Sequence, residues 1–285
     1  MTDQRGAGEP GDEPLRYEPR MSDSDALMWT IEKDPLLRST ITAVSLLDGP
    51  VEQDRFTAKV DRASRLIPRL RQRVVGNPYS MAPPRWEVDP NFDLHYHLRT
   101  LHLGGQGSER QLLDLAEWVG MQGFDRARPL WELYLVDGLA DGRSALVQKL
   151  HHAITDGVGS IQIALSLFDL ERDPPDDGEL PPAPPARVFG PLDRLVDGAT
   201  HVGRRRLGLV QRSAGAANGA VRSVLADPTG AARQAVETVR SVGRLVAPAT
   251  APLSPVMGGR SLSVRFSTMV HPLADLRAAA KAADG

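Results

Sequence analysis

The chain has 285 residues, 41% of them hydrophobic and 25% charged, with a formal net charge of −2. That is enough for one large or two small globular domains, and nothing in the charge balance calls for nucleic acid. Cysteine is absent, which excludes a disulfide framework, a thiol nucleophile and a zinc–thiolate site.

Residues 1–18 are rich in Gly, Pro and charge and lack an apolar h-region, so they read as a disordered leader and not as a secretory signal. No apolar run of the ~18 residues needed for a membrane span follows, so membrane contact is expected to be peripheral. Met21-Ser22-Asp23-Ser24-Asp25 supplies capping residues ahead of Ala26-Leu27-Met28-Trp29, predicting a short helix. Ser39 to Leu47 is β-branched and bounded by Pro35 and Asp48-Gly49-Pro50, which predicts a strand. From Asp54 to Arg73, Phe56, Val60, Ser64, Ile67 and Leu70 recur at helical spacing. Trp86-Glu87-Val88 and Leu94 to Leu98 are short strand candidates, and Arg110 to Val119 a second amphipathic helix. Trp131 to Val136 and Ala145 to Leu150 read as the two strands of a hairpin, with turns at Asp137-Gly138 and Asp141-Gly142. Beyond them Ile161, Ala164, Leu165 and Phe168 share a helical face. Strands and helices alternating in this way predict a layered α/β or α+β domain over residues 19–172.

The next stretch, 173–191, is a proline-rich linker, stiff and extended. A basic helical segment, 192–250, follows. Residues 187–246 hold ten Arg against four acids, giving +6 and leaving −8 for the rest. Leu262 to Val270 alternates like a strand and Leu273 to Ala283 like a helix, so 251–285 reads as the start of a second, truncated half.

Chemistry concentrates in His151-His152-Ala153-Ile154-Thr155-Asp156-Gly157. Histidine is scarce, seven in the chain, yet two stand together where a strand gives way to a helix. An imidazole with a pKa near 6.5 can take a proton from an alcohol and return it to a leaving group. Asp156 lies one turn from His152, and Gly157 and Gly159 let the loop approach a ligand closely. The bland alternative is a buried histidine bonded to a loop aspartate.

That segment resembles the His-His-x-x-x-Asp-Gly motif of the bacterial wax ester synthase/acyl-CoA:diacylglycerol acyltransferase family. Arg128-Pro129-Leu130-Trp131-Glu132-Leu133 resembles the same family's Pro-Leu-Trp motif, and the stretches at Met21–Ala26, Pro84–Glu87, Phe92–His95 and His97–Arg99 follow its pattern. The match is close over residues 20–172 and looser beyond. The resemblance implies a fold like chloramphenicol acetyltransferase and the carnitine acyltransferases, here the first half and the start of the second, with a tunnel between halves. It implies transfer of a fatty acyl group from acyl-CoA to diacylglycerol, giving triacylglycerol, or to a long-chain alcohol, giving wax ester. His152 is then the general base, no acyl-enzyme forms, and acyl-CoA is a co-substrate with no other cofactor. Asp156 shapes the loop, His151 orients His152 or lines the channel, and Pro129, Leu130 and Trp131 form the substrate-side wall. The implied location is cytoplasmic, peripheral at a membrane or lipid-droplet surface. The family's second half, with its Asn-Asp motif, lies outside this sequence, so either the chain continues or another polypeptide supplies the opposite wall.

Other readings compete. His95, His97 and His102 with His151 and His152 invite a metal site, but no carboxylate stands at a ligand interval. Arg204-Arg205-Arg206 suits anionic lipid headgroups or a solvated helix face; interleaved aromatics for nucleic acid are missing. No Gly-x-Ser-x-Gly elbow surrounds Ser144, Ser160 or Ser166, which disfavours a serine hydrolase. The reading from another class is a catalytically silent protein that binds a lipid surface or a partner.

Overall fold

The computed structural model describes residues 17–76, 82–154, 163–169, 171, 178–186, 188–205 and 261–283. The chain forms two compact units, one of residues 1–74, 86–186 and 262–285, the other of 75–85 and 187–261.

In the first unit a four-stranded sheet carries β1 (Thr40–Leu47), β4 (Leu98–His102), β5 (Trp131–Asp137) and β6 (Ser144–His151) in the order β1-β6-β5-β4. β5 and β6 form the expected antiparallel hairpin, with Trp131 opposite Leu150 and Val136 opposite Ala145. β6 also pairs antiparallel with β1, and β4 runs parallel to β5. All eight residues of β6 are buried. The cause is a helix on each face, which turns alternation into two-sided burial. Helix α2 (Gln53–Leu66) sets Phe56, Val60 and Ala63 against Leu133, Leu135 and Leu146. Helix α4 (Glu109–Met121) sets Leu112, Ala116 and Val119 against Tyr134, Val136, Ala145 and Val147. Each fully buried leucine in these layers contributes about 1.5–3 kcal/mol relative to exposure. The fold class read from the sequence, a layered mixture of helix and sheet, is the one found.

Helix α1 (Asp23–Ile31) starts where Ser22 accepts a hydrogen bond from the Asp25 N–H at 3.1 Å. The helix expected across 54–73 stops at Leu66. Pro68 cannot donate to the preceding turn, so a short 3-10 segment, Pro68–Arg71, leads into β2 (Gln72–Val75). β2 pairs with β3 (Arg85–Val88) in a separate ribbon.

Three further expectations need correction. Leu94–His97 is one helical turn, α3, not a strand, because the Asp93 carboxylate caps it by accepting from the His95 N–H at 3.0 Å. In the helical residues 163–167 the inward positions are Ile163 and Leu167, one turn apart, while Leu165 is exposed; Ile161 lies outside the described residues. Residues 262–270 pair with no strand among the described residues. Their fixed point is the Phe266 peptide, whose N–H donates to Glu117 Oε1 at 2.8 Å and whose carbonyl accepts from Arg110 at 2.7 Å. The helix expected after them is present as α5 (Leu273–Ala282) and is exposed throughout.

In the second unit residues 191–205 are helical. Arg85 bonds both oxygens of Asp197 at 3.1 Å and lies 4.3 Å over the Phe189 ring.

Candidate active site

β6 ends at His151, and a 3-10 turn, His152–Ile154, begins at the next residue. Strand pairing fixes the junction. Thr40 opposes His151 in the β1–β6 ladder, the His151 N–H donates to the Leu130 carbonyl at 3.0 Å, and the His152 N–H donates to the Ser39 carbonyl at 2.9 Å. Ile154 is buried and pins the far end of the turn in the apolar core. Between these anchors the two histidines have opposite surroundings.

The His151 side chain is 1% exposed. Its Nδ1 accepts from the Ala153 N–H at 2.9 Å. That places the proton of the neutral ring on Nε2, which lies 2.8 Å from Glu32 Oε1 in a bent rather than linear approach. Trp29 and Phe124 meet the ring edge-on at centroid distances of 5.6 and 6.0 Å. His152, by contrast, is exposed, so its imidazole is open to whatever faces this end of the sheet.

Glu32, just past α1, is the residue that sequence reasoning did not single out. Its Oε1 also accepts from the Ser39 N–H at 2.8 Å, and its Oε2 lies 3.9 Å from Arg126. Burial alone would push this carboxyl up. The contacts with His151 and the Ser39 N–H outweigh burial and hold it below the usual carboxylate range. No spacing in the sequence ties residue 32 to residue 151; an acid at a helix C-terminus, where the carbonyl end of the dipole disfavours negative charge, was the available signal.

A second polar group lies on the same face of the sheet as His151, two residues back. Lys149 is fully buried, with Nζ 3.4 Å from Glu132 Oε1 and 4.4 Å from the centre of the Phe124 ring. Glu132 accepts in turn from the Tyr134 hydroxyl, to which Arg99 donates at 3.0 Å. Desolvation lowers the Lys149 pKa, against the opposing pull of Glu132.

Pro129, Leu130 and Trp131 are sealed in the protein. The Trp131 indole N–H donates to the Leu70 carbonyl at 2.7 Å, and its ring stacks on His97 at 4.5 Å. His97 Nδ1 donates to the Trp131 carbonyl at 2.7 Å; burial lowers the His97 pKa, which suits this neutral, stacked ring. The three side chains therefore reach the junction through the Leu130 carbonyl and offer almost no surface to a substrate. Asp156 and Gly157 lie outside the described residues, as do Gly159 and Arg206. His102 sits instead against Asp137 at 2.5 Å. Among the described residues no group of three or more His, Asp or Glu is placed to hold a metal ion, and no helix is long and apolar enough to cross a membrane. Arg204 and Arg205 are exposed.

A strand-end histidine pair, the second imidazole open, thus closes a helix-covered mixed sheet of the layered α/β class. The chain belongs to the family described as the wax ester synthase/diacylglycerol acyltransferase catalytic domain, whose profile matches residues 21–285. It is 40% identical over 272 residues to a Mycobacterium tuberculosis H37Rv protein provisionally named a diacylglycerol O-acyltransferase, covering 94% of this chain and 55% of that protein. The chain thus spans about half the length of that relative. A second protein of the same organism, provisionally named likewise, is 33% identical over 263 residues, covering 90% of this chain and 94% of that one. Among solved structures, the wax ester synthase/diacylglycerol acyltransferase from Marinobacter aquaeolei VT8 aligns over 57% of this chain and 41% of its own, with 27% identity and a TM-score of 0.44.

Proposed function

We propose that this chain carries the proton-transfer half of an acyl-CoA-dependent O-acyltransferase that esterifies diacylglycerol, and also long-chain alcohols. The carrying observation is the exposed imidazole of His152 on a backbone anchored by the Ser39 carbonyl, directly after a buried strand. His152 removes the acceptor hydroxyl proton as the oxygen bonds to the thioester carbonyl carbon. The tetrahedral intermediate then expels CoA thiolate, which takes that proton back from the imidazolium. The ester and free CoA leave, the ring returns to neutral, and no acyl-enzyme is required. Base catalysis of this kind contributes ~10²–10⁴-fold, and holding acceptor and thioester together adds a comparable factor. Acyl-CoA is a co-substrate, and no further cofactor enters the scheme.

In this reading His151 holds the junction from inside the core, Asp156 shapes the following loop, and Gly157 gives that loop room. Pro129, Leu130 and Trp131 support the site through the β5 backbone and do not touch substrate. Residues 19–172 are the acyl-transfer domain in this reading, with 173–191 as linker and the basic stretch 192–250, described only over 192–205, bringing the protein to a membrane or lipid-droplet surface.

The test is turnover of radiolabelled acyl-CoA with diacylglycerol or hexadecanol, by the wild-type chain and by His152→Ala. Ester formation lost with the substitution supports the proposal. No turnover from well-folded wild type favours the silent, surface-binding reading. Liposome co-sedimentation with Arg204 to Arg206 changed to Ala tests the surface role; unchanged binding rejects it.

A further inference from the structure

One buried carboxylate takes no part in the proposed proton transfer yet contacts the scaffold of its base. Glu32 is 6% exposed at its side chain and lies on no strand, yet its Oε1 reaches both polypeptide segments that build the His151–His152 junction. On one side it faces His151 Nε2 at 2.8 Å. On the other it accepts from the N–H of Ser39, whose carbonyl takes the N–H of His152 at 2.9 Å. His151 closes the circuit through its Nδ1, which accepts from the Ala153 N–H at 2.9 Å. The peptide units on both sides of His152 are therefore tied, through one bond each, to groups that Glu32 holds.

We propose that Glu32 is a positioning residue of the transfer site, fixing the His152 backbone through the His151 ring and the Ser39 peptide; this rests on His152 being the base.

An acid of this kind is expensive to bury unless it is bonded and paired. Here the oxygens are used: Oε1 by a ring nitrogen and a peptide N–H, Oε2 beside the Arg126 guanidinium at 3.9 Å. Arg126 itself is laid over the Trp29 ring at 4.0 Å, so the counter-charge is also held in place. The carboxylate stays ionised in the neutral range, because its contacts outweigh its burial. Finally, packing confines the exposed imidazole of His152 less than the buried ring of His151, so a tilt of the junction displaces it more. Base catalysis is steep in that displacement: a shift of about 1 Å at a reacting group costs on the order of 10²-fold.

The experiment uses the full chain with Glu32→Ala and Glu32→Gln, alone and combined with His152→Ala. Gln keeps the shape and one acceptor oxygen, so it carries the test by itself if the Ala variant does not fold. Expected is a fall in kcat of about 10- to 100-fold, larger for Ala, with KM for acyl-CoA and for acceptor within about twofold. In the His152→Ala background the same substitution is expected to remove nothing further, because it acts only through that ring. Ring proton–carbon NMR of the seven histidines is the second readout: Glu32→Gln moves the His151 and His152 signals and leaves His95 and His102 in place. Wild-type kcat with unmoved His152 signals overturns the proposal. So does an equal fractional loss with and without His152, which is the mark of general destabilisation. If the wild type turns over no acyl-CoA, the functional reading fails, and the NMR arm still decides: moved His152 signals support the positioning role and unmoved ones refute it.

Discussion

The N–H of His151 donates to the carbonyl of Leu130 at 3.0 Å, so the His-His and Pro-Leu-Trp segments meet as hydrogen-bonded backbone on adjacent strands. Each motif reads as a separate chemical signal in sequence. In space the second is the rail on which the first is hung. Trp131 locks that rail from below, its indole N–H on the Leu70 carbonyl and its face on His97.

Trp131→Phe tests this arrangement. The substitution keeps an aromatic ring but leaves the buried Leu70 carbonyl without its partner, which costs about 1–3 kcal/mol. Urea unfolding is expected to show that loss with an unchanged m-value, and ester formation is expected to fall with it. An unaltered midpoint would mean that the indole bond is dispensable and that the ring serves only by volume.

The buried pair of Lys149 and Glu132 gives a second test. Removing one partner strands a charge in the core and costs about 3–5 kcal/mol, whereas replacing both by apolar residues of similar size is close to neutral. Glu132→Leu is therefore expected to destabilise strongly, and Lys149→Met combined with Glu132→Leu to recover most of the loss. Tyr134 and Arg99 also contact Glu132, so recovery stops short of complete. Chemical denaturation of the wild type, both singles and the double measures the cycle. Additive losses would show that the pair does not act as a unit.

What could be read in advance follows the range of the interaction. The hairpin was legible because alternation over 131–136 and the apolar stretch 145–150 flank turn residues at Asp137-Gly138 and Asp141-Gly142, and both helix faces followed from the 3.6 period. Alternation misled where a local or side-chain bond replaced the ladder: Asp93 caps the turn at Leu94–His97, and Glu117 and Arg110 hold the Phe266 peptide. His152 stood out as a candidate because a rare residue is doubled ahead of Asp and Gly. Glu32 did not, because its partners come from β1 and β6 only after the sheet has formed.

Glu32 also predicts the acid limb of stability. Its carboxyl sits below the ordinary glutamate value of 4.5 in the folded protein, so the unfolded chain binds its proton first as pH falls. The stabilisation is complete above 4.5, and it is lost as pH drops through the depressed folded value. The groups facing it are His151 and Arg126. Thermal melts of wild type and Glu32→Gln are expected to differ by a steady amount above 4.5 and to converge as the pH falls below it. A constant gap down to the lowest pH at which the protein folds would show that the carboxylate's charge contributes nothing.

Two glycines with nearly the same backbone angle separate strain from crowding. Gly107 has φ +60°, and Gly142 has φ +69°. A methyl group on Gly142 would meet nothing within 4 Å. On Gly107 it would lie 2.2 Å from the Gly138 carbonyl oxygen and 2.7 Å from the Ala140 nitrogen, both backbone atoms of the β5–β6 connection. Gly107 also accepts the Ala140 N–H at 2.8 Å, and the next residue, Ser108, opens α4 with a reciprocal capping bond to Gln111. Gly142→Ala is therefore expected to cost only the left-handed penalty of roughly 1–2 kcal/mol. Gly107→Ala must add to this a displacement of backbone that cannot rotate away, breaking the bond to Ala140 and tilting the start of α4. Its loss is expected to exceed that of Gly142→Ala by at least about 2 kcal/mol, or several degrees in Tm for a chain of this size. Equal melting temperatures for the two variants would show that the contact between the α4 entry and the hairpin turn is looser than the 2.2 Å approach requires.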